Sequence, residues 1–181
     1  MSKIGRKPII FGDLQVTVKG QEVSFKGKNH SGVYFLPDFL TATVEDHKLI
    51  LQLKAGEEDR INFWGMHRAL LANALKGAEK DFELQVEIVG LGYKAALSGH
   101  KITLSLGFSH KIDVDLPADI KLAIDKTGQK LTFTSFDKEK LGQICALIRS
   151  FRPPEPYKLT GVRLAGEVIH KKSGKAKSGT E

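Results

Sequence analysis

Cysteine is nearly absent: Cys145 is the only one in 181 residues. A single thiol can form neither an intrachain disulfide nor a cysteine metal cluster, and such a chain suits a reducing, cytoplasmic setting. Long apolar runs are missing too. No stretch approaches the roughly 20 apolar residues of a membrane span. Met1 to Phe11 opens with charges instead of the apolar core of a secretory leader, so neither membrane nor export is expected. Metal-ligand spacing is lacking: His30, His47, His67, His100, His110 and His170 form no pairs at ligand spacing, and HExxH and CxxC do not occur. There is no GxSxG elbow. Ser109 and His110 are adjacent, which on a strand sends their side chains to opposite faces. Gly90-Leu91-Gly92 begins like a dinucleotide fingerprint, but Tyr93-Lys94-Ala95 continues as a strand where a helix is required. Asp113 and Asp115 share a strand face as a carboxylate pair would, yet they alternate with Ile112, Val114 and Leu116 as solvent positions do. Cys145 falls at core spacing on a helix and reads as a buried thiol. No catalytic residue, metal, cofactor or small-molecule substrate is expected.

What is present is charge at the ends. The net charge is +7. Lys3, Arg6 and Lys7 stand in the first ten residues without an acid. From residue 149 onward, eight Lys/Arg face only Glu155, Glu167 and Glu181. The body between is close to neutral. Basic extremities on a neutral scaffold fit a polyanionic partner, because bound Lys and Arg release the counterions of phosphates. Solubility alone would also account for charged tails.

The chain also repeats itself. Leu14, Val16 and Val18, then Val23 and Phe25, alternate with polar residues as half-buried strands do, and Leu49, Leu51 and Leu53 make a third. A turn-like Gly56 to Asp59 follows. Next comes a helix over Met66 to Lys80, with Met66, Leu70, Ala74 and Ala78 expected inward and Arg68, Lys76 and Lys80 toward solvent. The second half renews the order: Phe82, Leu84, Val86 and Ile88; Ile102, Leu104 and Leu106 after a Ser98-Gly99-His100 turn; Ile112, Val114 and Leu116; then Leu131 and Phe133. A helix runs from about Lys138 to Ser150, Asp137 suiting its N-cap and Leu141, Ile144, Cys145 and Ile148 its core face. Pro153 and Pro154 stop it. Leu14-Gln15-Val16 with Gly20 matches Leu84-Gln85-Val86 with Gly90, and Lys48-Leu49 recurs as Lys130-Leu131. The expected class is α+β: two tandem, duplicated domains, each a mainly antiparallel sheet with one helix packed on one face. Expected bounds are 1–81 and 82–170, with a flexible basic tail at 171–181.

After the second helix the text changes. Three prolines in Arg152 to Lys158 fix φ and remove donors, so the segment should be extended and stiff, losing little entropy on binding. It is expected to hold Arg152, Tyr157, Lys158 and Arg163 outward, supplying guanidinium groups for phosphates and an aromatic plane for an unpaired base. The plainer alternatives are a PxxP ligand through Pro153 and Pro156, and a disordered tail over Ser173 to Glu181.

The run Arg152-Pro-Pro-Glu-Pro-Tyr-Lys158, followed by Gly161-Val-Arg163 and Gly166-Glu167, resembles the C-terminal motif of the bacterial large-subunit ribosomal protein six family. So do Gly90-Leu-Gly-Tyr-Lys-Ala95, Leu106-Gly-Phe-Ser-His110, Gly142-Gln143 and the opening Ser2-Lys-Ile-Gly-Arg-Lys-Pro-Ile9. The likeness spans nearly the whole chain. It implies a non-enzymatic protein of the cytoplasmic ribosome, bound to large-subunit ribosomal RNA near the base of the factor-binding stalk and next to neighbouring ribosomal proteins. Carried over by motif, the RNA contacts are Lys3, Arg6, Lys7, Arg149, Arg152, Tyr157, Lys158, Arg163, Lys171, Lys172, Lys175 and Lys177. Gly90, Gly92, Tyr93, Lys94, Ser109, His110, Pro154, Glu155, Pro156 and Gly161 are the motif positions that support them. The sequence departs from the family pattern at Leu159-Thr160, where Gly-Lys is usual, and at Leu164, where Tyr is usual. Lys28-Asn29-His30 replaces the usual Pro-Lys-Gly.

Overall fold

Alternating apolar and polar residues build most of the strands in the computed structural model, which describes residues 2–27 and 30–174. These fall into two units, one from the chain up to Phe82 with Phe136–Lys138, the other from Glu83–Ser135 and the chain from Glu139 on.

In the first unit, β1 (Ile9–Ile10) is followed by a meander of β2 (Gln15–Lys19), β3 (Glu22–Lys26) and β4 (Ser31–Phe35). The antiparallel hairpin of β5 (Leu40–Glu45) and β6 (Lys48–Leu53) comes next, and β6 also pairs with β1. Asp46 and His47, the two residues of that hairpin's turn, both have positive φ (39° and 60°), the backbone that matches strand twist in a two-residue loop. Helix α1 spans Ile61–Glu79.

The helix begins five residues before the expected Met66, and it turns a different face inward. Leu71, Ala72, Leu75, Gly77 and Ala78 are buried, whereas Met66 is 45% and Leu70 40% exposed. The series 66, 70, 74, 78 was spaced by four throughout. At 3.6 residues per turn each such step overshoots by about 40°, so the row walks off one face within three steps. Trp64, Leu71, Leu75 and Ala78 mix steps of seven, four and three and stay together. Arg68 was expected in solvent; its Nε and Nη2 instead donate to the carbonyls of Lys7 (3.0 Å) and Pro8 (3.1 Å). The helix closes over Ile9, Val23, Leu40, Leu49 and Leu51. Each fully buried side chain of this size contributes roughly 1.5–3 kcal/mol.

The second unit repeats this topology and adds to it. β7 (Phe82–Val89) takes the place of β1; β8 (Lys94–Ser98), β9 (Lys101–Ser105) and β10 (Ile112–Asp115) form the meander; β11 (Lys121–Ile124) and β12 (Lys130–Ser135) form the hairpin. The sheet order β1-β6-β5 becomes β13-β7-β12-β11, with β13 (Gly161–Leu164) added on the far side of β7. Gly20 and Gly99 each open the two-residue turn between the first two meander strands. The fold is therefore α+β and duplicated. Lys48-Leu49 and Lys130-Leu131 do occupy equivalent strands, β6 and β12. The other letter match does not survive, because Leu14-Gln15-Val16 leads into β2 while Leu84-Gln85-Val86 lies in β7, whose counterpart is β1. Helix α2 covers Lys138–Phe151, with Leu141, Cys145 and Ile148 buried. Burial pushes the Cys145 thiol up to about 11, so it remains protonated in the core.

Candidate nucleic-acid interface

β7 ends at Val89, and three motif segments gather beyond it in the second unit. Gly90 to Tyr93 links β7 to β8, and Leu106 to Lys111 links β9 to β10. The segment after α2 returns to pair with β7 through β13, in the register Gly161↔Val89 and Arg163↔Glu87.

Tyr93 is the hub. A Cβ on Gly90 would lie 2.5 Å from the Tyr93 ring, and one on Gly107, whose φ is +77°, would lie 2.7 Å from it. The ring needs both glycines. Arg152 lies against two aromatic rings, its guanidinium carbon 5.1 Å from the Phe108 centroid and 5.9 Å from that of Tyr93. Such cation–π contacts hold a guanidinium in place while its edge donors stay available to a phosphate. Phe108 in turn lies near-parallel to His110, centroids 6.0 Å apart at 24°. Ser109, His110 and Lys94 are exposed, and so is Leu91.

The proline segment is not a straight outward arm. The Glu155 N–H donates to the Thr160 carbonyl and the Leu159 N–H to the Glu155 carbonyl, both at 2.9 Å, closing a small loop. Exposed Tyr157 and Lys158 lie within it, between half-buried Pro156 and Leu159. Gly161 follows, at a φ of +137°, where a Cβ would meet the Pro153 carbonyl and the Pro154 Cα at 2.7 Å. The backbone N–H of Lys172 donates to the Pro156 carbonyl at 3.0 Å, so the residues beyond β13 are tied back to this loop. Lys171 and Lys172 are exposed, while Lys175 and Lys177 lie outside the described residues.

Two arginines expected to contact RNA, Arg163 (also expected outward) and Arg149, pair with carboxylates of the chain. Arg163, on β13, gives Nε and Nη2 to Glu87 Oε2 at 2.9 and 2.7 Å. Arg149, in the last turn of α2, is held by both oxygens of Glu167 (3.0 and 2.5 Å), and Glu167 also accepts the Leu164 N–H at 3.1 Å. The hydrogen bond from Arg149 holds the Glu167 carboxyl below its ordinary value, and the same bond raises Arg149. Both guanidinium groups are paired with a carboxylate while about a third of each side chain stays exposed. Lys3, Arg6 and Lys7 are exposed in the first unit, on a segment fixed by Arg68 and by Gly5 packing on the Trp64 ring.

Comparison with known proteins agrees with this gathering of motifs. The family model described as Ribosomal protein L6 matches residues 89–164. A protein named large ribosomal subunit protein uL6 from Beijerinckia indica is 39% identical over 178 residues, covering 98% of this chain and all of its own. One of the same name from Caulobacter vibrioides is 40% identical with the same coverage.

The chain belongs to the ribosomal protein L6 family. The segment matched by the L6 model runs from Val89 to Leu164 and so contains all three loops and β13. Lys3, Arg6, Lys7 and the lysines from 171 onward lie outside it. Sequence reasoning singled out Ser109 and His110 but passed over Phe108, although an aromatic between a glycine and polar residues in a loop was a usable signal. Among the described residues no three His, Cys, Asp or Glu side chains come together as a metal set.

Proposed function

We propose that the chain is a structural constituent of the large ribosomal subunit that binds its ribosomal RNA near the base of the factor-binding stalk and stabilises the folded RNA there. The observation that carries this reading is the convergence of the three L6 motif segments on Arg152, with Phe108, Tyr157 and Lys158 exposed on those segments. The curated relatives' name supports the subunit, and the family resemblance supports the stalk base. In this reading Arg152, Lys158, Lys171, Lys172 and Lys94 meet phosphates, and Lys175 and Lys177 extend that set. Tyr157 offers a ring to a base, and Lys3, Arg6 and Lys7 give the first unit its own phosphate contacts. Arg149 and Arg163 act one step back, tying α2 and β13 into the platform. Neighbouring ribosomal proteins are the further partners, and the ribosome-bound chain resides in the cytoplasm without catalysing a reaction.

Binding of in vitro transcribed large-subunit RNA, measured against salt, tests this. The ten cations named, at about −0.7 per phosphate met, set an expected slope near −7 for log K against log salt. A flat salt dependence, or absence of the chain from purified large subunits, would overturn it.

A further inference from the structure

We infer that Phe108 and His110 form a stacking platform for one unpaired nucleobase of the RNA, a site distinct from the phosphate contacts. This rests on the RNA-binding reading above. Leu106, two residues earlier, is fully buried and takes the inward position of this segment, so the core does not require Phe108. Phe108 is 40% exposed, and its ring lies at 24° to the exposed His110 ring. Arg152 lies over the same ring at 5.1 Å, so guanidinium, phenyl and imidazole are grouped about Phe108 at the surface. A nucleobase is the ligand that suits an exposed ring in such a group, since every base has a π-face and carries a phosphate on either side for nearby cations. Gly107 and the Tyr93 ring packed on it fix the loop before any ligand arrives, so little ordering is left to be done on binding. A protein or lipid partner would favour an apolar patch over this single stack, which lies in sequence beside the exposed Lys111.

The test uses the full chain and in vitro transcribed large-subunit RNA. Phe108→Leu keeps apolar bulk and removes the ring; affinity should fall about 5- to 150-fold, the range for one base stack, with the salt slope unchanged. Phe108→Trp should bind within a few-fold of the unsubstituted chain, and the new indole's fluorescence should be quenched by RNA. His110→Ala, which leaves Phe108 in place, should lose a smaller factor. Unchanged affinity in Phe108→Leu, or an equal loss in Phe108→Trp, overturns the platform while leaving RNA binding intact. A salt slope shallower by about one in Phe108→Leu would mean that Arg152 had been displaced, and it too overturns the platform. If the unsubstituted chain fails to bind the RNA, the failure belongs to the proposed function itself.

Discussion

Leu159 stands at a φ of +60°, in the left-handed region where a Cβ crowds the following carbonyl and a non-glycine residue costs roughly 1–2 kcal/mol. The family pattern has glycine here. The strain is held by the hydrogen bonds that close the loop from Glu155 to Thr160. Leu159→Gly removes it, at the cost of a more flexible unfolded chain and some half-buried apolar surface. The expected net is a gain of about 0.5 kcal/mol, seen as a rise of a few degrees in the thermal midpoint; a fall would mean that the leucine's packing outweighs its backbone. The departure itself was visible in the sequence. Its consequence was not, because nothing in the letters says that residue 159 must take positive φ until the loop around it is built. The ion pairs were hidden for a related reason: Arg163 meets Glu87 across 76 positions of sequence, a pairing set by the β13–β7 register alone.

At the scale of elements, strong alternation was readable and weak alternation was not. β7, β9, β10 and β12 turn every second residue inward and were expected as strands; β1, β4, β5 and β11 were missed. In β4 the apolar Val33 and Phe35 face out (48% and 72% exposed) while Tyr34 points in, so the apolar letters do not mark the inner face. In β5 inward burial fades from Leu40 through Ala42 to Val44. β13 escaped because its two most buried residues, Gly161 and Val162, are adjacent and follow prolines. That strand holds the proposed interface to β7, and it offers two tests. A Cβ at Gly161 meets two backbone atoms at 2.7 Å, so Gly161→Ala should cost about 1–3 kcal/mol and expose the β7 edge to amide hydrogen exchange. The second test is acid. Glu167 binds its proton more weakly in the folded chain than in the unfolded one. Its pair with Arg149 therefore adds stability above the ordinary carboxyl value of 4.5, and that stability is lost as pH falls through the lowered folded value. The pair is partly solvated, so its worth is about 1 kcal/mol at most. Glu167→Gln should lose that increment at neutral pH and show a flatter decline of stability below pH 4.5 in urea titrations; an unchanged acid limb would remove Glu167 from the account.

For the whole molecule, duplication of the fold was legible from the order of strands and helices, and the topology sharpens it into one plan used twice with β13 as the addition. The basic ends are what the two units do not share. Lys3, Arg6 and Lys7 belong to the first unit, and Lys158, Lys171 and Lys172 to the second. If each set meets phosphates, each contributes separately to counterion release. Replacing Lys158, Lys171 and Lys172 by Gln should make the salt slope shallower by about 2, at roughly 0.7 per phosphate lost, and weaken binding to all RNA sequences alike. The same change at Lys3, Arg6 and Lys7 should take a similar amount from the slope. The sixfold variant should then approach the sum of both, since residues without shared partners act nearly additively. A slope left unmoved by the N-terminal triple change would confine RNA binding to the second unit, and the charge at the start of the chain would then serve solubility or a protein neighbour.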